Sequence, residues 1–143
     1  MIGNTAGLLC VPIDISDYYD FCTSLSSGYW YDEEIDIVLN PTQYELLETI
    51  TEIEEADYDY VIVIFSGHGE KMGNGPVLYI NRQEETILLH RLMKFAERQL
   101  LIIDCCRSHH RISVDISIDS TTLSLSYGTV RQVYEELILF SAP

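Results

Sequence analysis

Two kinds of apolar pattern alternate along this chain. Tyr60-Val61-Ile62-Val63-Ile64-Phe65 is a short, unbroken, β-branched run that stops at Ser66-Gly67. A run without polar alternation predicts a strand buried on both faces, as inside a parallel sheet. Leu100-Leu101-Ile102-Ile103, ending at Asp104, predicts a second such strand, and Ile35-Asp36-Ile37-Val38-Leu39, halted by Asn40-Pro41, a third. Between the runs the spacing turns helical. Tyr18, Phe21, Cys22 and Leu25 form one stripe, and Leu46, Ile50 and Ile53 a second behind the capping-box pattern Thr42-x-x-Glu45. Leu89, Leu92, Met93 and Ala96 predict a third helix, and Val130, Val133, Tyr134 and Leu137 a fourth, opened by Gly128-Thr129. Strand and helix in alternation predict an α/β fold with a largely parallel central sheet. Gly73 to Thr86 breaks the rhythm; Val77-Leu78-Tyr79-Ile80 and Thr86-Ile87-Leu88 are spaced to pair as a small hairpin. The Ser/Thr/Asp/Ile-rich stretch 108–126 reads as a loop, either a β-ribbon or a mobile connection.

Length and charge narrow the function. The chain has 143 residues, enough for one domain, 1–143, with a sizeable core. A net charge of −15 argues against nucleic acid and anionic membranes, whose phosphates require Lys and Arg. The acidity does not predict disorder, because 47% of residues are hydrophobic and ten are tyrosine. No apolar run is long enough to span a membrane. Four cysteines, two of them adjacent at Cys105 and Cys106, make no disulfide framework, so the expected setting is reducing and cytoplasmic.

The candidate chemistry lies at the carboxyl ends of the two best strands, where ligands of open α/β sheets bind. His68 follows one, in Phe65-Ser66-Gly67-His68-Gly69; Cys106 follows the other, in Asp104-Cys105-Cys106-Arg107-Ser108. On neighbouring strands the two would face one crevice, and an imidazole is the usual partner that makes a thiol nucleophilic near neutral pH. Taken singly, such a histidine is more often a loop residue and such a cysteine a small hydrophobe. Their joint placement favours chemistry. Cys105, Cys106, His109 and His110 could also be read as a zinc cluster, but adjacent ligand pairs suit tetrahedral geometry poorly. The acidic run Glu52, Glu54, Glu55, Asp57 and Asp59 reads as a solvated helix end, and Trp30 between Tyr29 and Tyr31 as packing.

Val61-Ile62-Val63-Ile64-Phe65-Ser66-Gly67-His68-Gly69 and Leu100-Leu101-Ile102-Ile103-Asp104-Cys105-Cys106-Arg107-Ser108 resemble the two signatures of the caspase-like cysteine peptidases. The pattern is most similar to the metacaspase and paracaspase branch and its bacterial relatives. The resemblance implies an α/β/α sandwich around a mostly parallel sheet. It implies His68 as the catalytic histidine and, because Asp104 and Cys105 fill the Asp-x positions, Cys106 as the nucleophile. The backbone N–H groups of Gly69 and Cys106 would then form the oxyanion hole. That branch cuts after Arg or Lys, which implies Asp104 and, at the start of the first helix, Asp14 as substrate-binding carboxylates. Asp14 is read equally well as the N-cap of that helix.

The resemblance implies no resident cofactor, with calcium activation an open possibility that no EF-hand loop supports. The implied partners are protein or peptide substrates. Against the family pattern the chain looks truncated at both ends. Segment 108–126 corresponds to the connection between the family's two subunits and 128–143 to the start of the smaller one, whose first strand the run Leu137-Ile138-Leu139-Phe140-Ser141-Ala142-Pro143 resembles. An exposed sheet edge of that kind suits a second copy or a complementing chain. The other function class is therefore a caspase-fold interaction or regulatory module, catalytically incomplete until a partner chain joins it.

Overall fold

A computed structural model describes residues 1–73, 75–107, 122–125, 129–132 and 136–141, with side chains as far as Cys105. The first elements are β1 (Ile2–Gly3), α1 (Val11–Thr23), β2 (Val38–Leu39), α2 (Gln43–Glu55) and β3 (Tyr60–Met72). They are followed by β4 (Gly75–Tyr79), β5 (Thr86–Leu88), β6 (Arg98–Arg107), β7 (Thr122–Leu125), β8 (Thr129–Gln132) and β9 (Glu136–Ser141). Five strands lie in the order β2-β1-β3-β6-β9, every pair parallel. β4 is added antiparallel to the far half of β3, and β5 antiparallel to β4.

The apolar run of β3 explains this placement. Alternate residues Val63 and Phe65 join Leu101 and Ile103 of β6 on one face, where Leu46 and Ile50 of α2 cover them. Ile62, Ile64, Leu100 and Ile102 face the other way, toward Tyr18, Phe21 and Cys22 of α1. Helices thus lie on both faces of a mostly parallel sheet. Phe65, Leu46 and Ile103 are almost wholly buried, each stabilising the fold by roughly 1.5–3 kcal/mol. α1 and the neighbouring β2 both crowd β1: a Cβ at Gly3 would lie 3.2 Å from Val11 and Ile15 of α1 and 2.7 Å from Leu39 of β2.

The hairpin and the α2 cap form as expected. Thr42 Oγ1 accepts from the Glu45 amide at 3.2 Å, and Glu45 Oε2 accepts from the Thr42 amide at 2.8 Å. Thr42→Ala should lower stability by about 1 kcal/mol, read as a lower urea midpoint at unchanged slope.

Four sequence expectations are corrected. Residues 89–96 do not form a helix: Leu89–Leu92 make one 3-10 turn, and Lys94 then takes a left-handed φ of 69°. The buried Gln99 side chain meets this turn, donating to Leu92 O at 2.6 Å and accepting from the Phe95 amide at 2.9 Å. Local spacing buries Leu89 and Leu92, but those side-chain bonds replace the next helical turn.

The described residues of the span Val130 to Leu137 are likewise strand and not helix, with 133–135 outside the described residues. Thr129–Gln132 pairs with β7, and Glu136–Ser141 extends the parallel sheet beside β6. The run Leu137-Ile138-Leu139-Phe140 is the strand that the resemblance implies at the start of the smaller subunit, and only Leu137 is shared with the helical spacing. Segment 108–121 lies outside the described residues, while 122–125 is one strand of a ribbon. On α1 the buried line is Val11, Ile15 and Cys22; Phe21 is 57% exposed, and Leu25, 88% exposed, lies beyond the helix. The third strand shortens to Val38–Leu39, because its partner β1 offers only two residues for pairing.

Candidate active site

β3 and β6 are neighbours, and their register sets the two motifs side by side. Ser66 lies opposite Asp104, Gly67 opposite Cys105, His68 opposite Cys106 and Gly69 opposite Arg107. Adjacent strands place such backbone positions about 4.8 Å apart. His68 and Cys106 lie within their strands rather than after them, because β3 runs on to Met72 and β6 to Arg107. One edge of β3 carries β6 from Tyr60 to Gly69; the other carries β1 at Phe65–Ser66 and then β4 from His68 onward. His68 stands where that second edge changes partner.

Glycines bring the backbones close. A Cβ at Gly67 would meet the Asn4 Cβ at 2.9 Å, and one at Gly69 would meet Cys105 Sγ at 3.1 Å. The Cys105 sulfur is therefore packed into the core, and its residue is 6% exposed. The Cys106 side chain, His109 and His110 lie outside the described residues, so the zinc reading keeps only Cys105 inside them. Among the described residues no three His, Cys, Asp or Glu side chains gather as metal ligands.

His68 has a partner that the sequence does not reveal. Its Nε2 lies 2.9 Å from the backbone carbonyl of Ala6. A carbonyl only accepts, so Nε2 carries the proton and Nδ1 of the neutral ring is left as the basic nitrogen. No side-chain signature marks a backbone carbonyl sixty-two positions away.

The two carboxylates converge. The N-cap of α1 is Cys10, so Asp14 is not the cap but sits in the first turn. It accepts a hydrogen bond from the Ser66 hydroxyl at 3.0 Å. Asp104, opposite Ser66, accepts from the Tyr18 hydroxyl at 3.4 Å, long for an O–H···O bond. Both carboxylates line one cavity of about 360 Å³, whose remaining wall includes Asp17, Phe21 and the apolar residues Ile64 and Ile102. Burial first, then Asp104 and Asp14, pushes the Tyr18 phenol up to about 12, so near neutral pH it only donates to an anion.

Ser66 and Tyr18 are thus additions to the site. Both were open to inference: Ser66 is two positions before His68 on the same strand, and Tyr18 one helical turn after Asp14. A second cavity of about 440 Å³ adjoins the first across Cys22, Ile62 and Ile64 and is lined also by Trp30, Tyr60 and Asp36. There Trp30 lies against Tyr60 with ring centroids 6.0 Å apart, a packing contact.

Among the described residues no helix is long and apolar enough to cross a membrane. Residues 14–138 match the family model described as the caspase domain, peptidase C14. Neither curated proteins nor solved structures provide a significant match.

Proposed function

Because the chain belongs to the caspase-domain family, peptidase C14, a family of cysteine peptidases, we propose that it is an endopeptidase cutting after Arg or Lys through a Cys106–His68 dyad. The observation that carries this reading is the register that pairs His68 with Cys106 while Ala6 holds Nε2. In this mechanism the Cys106 thiol gives its proton to His68 Nδ1, and the thiolate attacks the peptide carbonyl carbon. The N–H groups of Gly69 and Cys106 donate to the oxyanion. As the C–N bond breaks, His68 returns the proton to the leaving amine, and an acyl-enzyme remains. A water molecule, deprotonated by His68, then attacks the thioester carbon; the C–S bond breaks, the acid leaves, and His68 returns the proton to the Cys106 thiolate.

Specificity follows from charge. Asp14 and Asp104 in one cavity suit a guanidinium or ammonium, and a guanidinium can bond two carboxylates at once. The discriminating experiment is cleavage of matched fluorogenic acyl-Arg, acyl-Lys and acyl-Asp substrates. The reading expects turnover of the first two and none of the third; cleavage of acyl-Asp alone would reject it.

A second reading, a regulatory module that needs a partner chain, is favoured by the thin cover over the α1 side of the sheet. There Ile62, Leu100 and Ile102 are only half-buried and Phe21 is exposed. The rate of Cys106 alkylation separates the two: a fast-reacting thiol near neutral pH belongs to the enzyme, and an inert one to the module.

A further inference from the structure

We propose that Asn4 is a positioning residue for His68, holding the Ala6 carbonyl against Nε2 and thereby selecting the tautomer of the imidazole. The inference rests on the reading of His68 as the proton-transferring group.

Asn4 occupies the gap where β3 exchanges β1 for β4. Its amide N–H continues the β1 ladder by donating to Ser66 O at 2.9 Å. Its side-chain Nδ2 donates to Tyr79 O at 2.7 Å, and Tyr79 is the β4 residue opposite His68. Its Oδ1 accepts from the Ala6 amide at 2.9 Å. Ala6 O then receives His68 Nε2, also at 2.9 Å. The contacts close a circuit through Asn4, Ala6, His68 and Tyr79.

The circuit permits one orientation of the Asn4 amide. A flipped amide would set its NH₂ against the Ala6 N–H and its oxygen against Tyr79 O, so both bonds would be lost. Asn4 is 1% exposed, so solvent does not readily replace either partner. Gly67 leaves the room for this approach, since a Cβ there would lie 2.9 Å from the Asn4 Cβ. A residue that only filled the gap would need shape. This one uses a donor and an acceptor, and the acceptor grips the peptide unit next to the carbonyl that meets the histidine.

The test uses the full chain labelled with ¹⁵N. Two-bond ¹H–¹⁵N correlations report which ring nitrogen of His68 bears the proton. Wild type should show the Nε2–H form. In Asn4→Ala the Nδ1–H form should appear, and kcat for acyl-Arg should fall about 10- to 100-fold, as for other residues that orient a reacting group, with KM within about twofold. Asn4→Asp keeps an oxygen for the Ala6 amide but loses the donor to Tyr79 O, and should restore the Nε2–H form in part. Ala6→Pro removes the N–H that Asn4 holds, at a half-exposed position, and should move the tautomer as Asn4→Ala does, even if Asn4→Ala itself fails to fold. An unchanged Nε2–H form in folded Asn4→Ala or Ala6→Pro would overturn the inference. A tautomer that shifts in a protein cleaving no substrate would sustain it while rejecting the catalytic reading.

Discussion

Cys106→Ala is expected to abolish cleavage of acyl-Arg substrates, and Cys105→Ala to leave most of it. Loss of a covalent nucleophile typically costs about four orders of magnitude or more in kcat, so the first variant should fall to the background of the assay. The contrast matters because the two cysteines are neighbours and only one can belong to the dyad. Cys105 pairs in register with Gly67, and its sulfur lies over Gly69 inside the core. A thiol packed there is shielded from substrate. Its removal leaves a small void and a modest loss of stability. Cys106 pairs with His68. The measurement is initial rate against a fluorogenic acyl-Arg substrate, with the thermal midpoint of each variant alongside. A dead Cys105→Ala enzyme of normal stability would reverse the assignment.

The second large effect is expected at the carboxylates. Asp104→Asn should raise KM for acyl-Arg by about 10- to 100-fold, the scale of a charge-assisted hydrogen bond lost from a partly buried site. Asp14→Asn should act in the same direction. The double variant should fall short of the product of the two, because both groups line one cavity and share a bound cation. The rate of Cys106 alkylation serves as the control: it should stay near the wild-type value in all three, since these groups bind the substrate and do not transfer the proton. If acyl-Arg hydrolysis keeps its wild-type KM in the double variant, the pocket lies elsewhere.

Family and fold class were legible because both depend on local patterns. An unbroken β-branched run can be buried only inside a sheet, and the polar residues that follow it, Ser66-Gly67-His68-Gly69 and Asp104-Cys105-Cys106-Arg107, stand out against it. Match of the caspase-domain model over residues 14–138 agrees with the resemblance read from those two segments. The errors arose where a distant partner outweighed local spacing. Gln99 ends the turn after Leu92 from across a gap of seven residues. The helical stripe ending at Leu137 likewise gives way to the strand pattern of Leu137 to Phe140, because β6 pairs with that run along its length.

The apolar runs and the two motifs behind them are properties of the sequence: by themselves they point to the α/β class and to His68 and Cys106 as candidates for a reactive pair, and the family resemblance adds Asp14 and Asp104 as candidate carboxylates. Tertiary structure alone decided how these meet: the register of β3 on β6, the hydrogen bond from Ser66 to Asp14, the one from Tyr18 to Asp104, and the Ala6 carbonyl on His68 held by Asn4. The reason is physical. Periodicity and turn chemistry act over a few residues and are written in side chains. The tautomer of a histidine depends on a backbone oxygen that every residue carries alike, so only folding can select which one it meets.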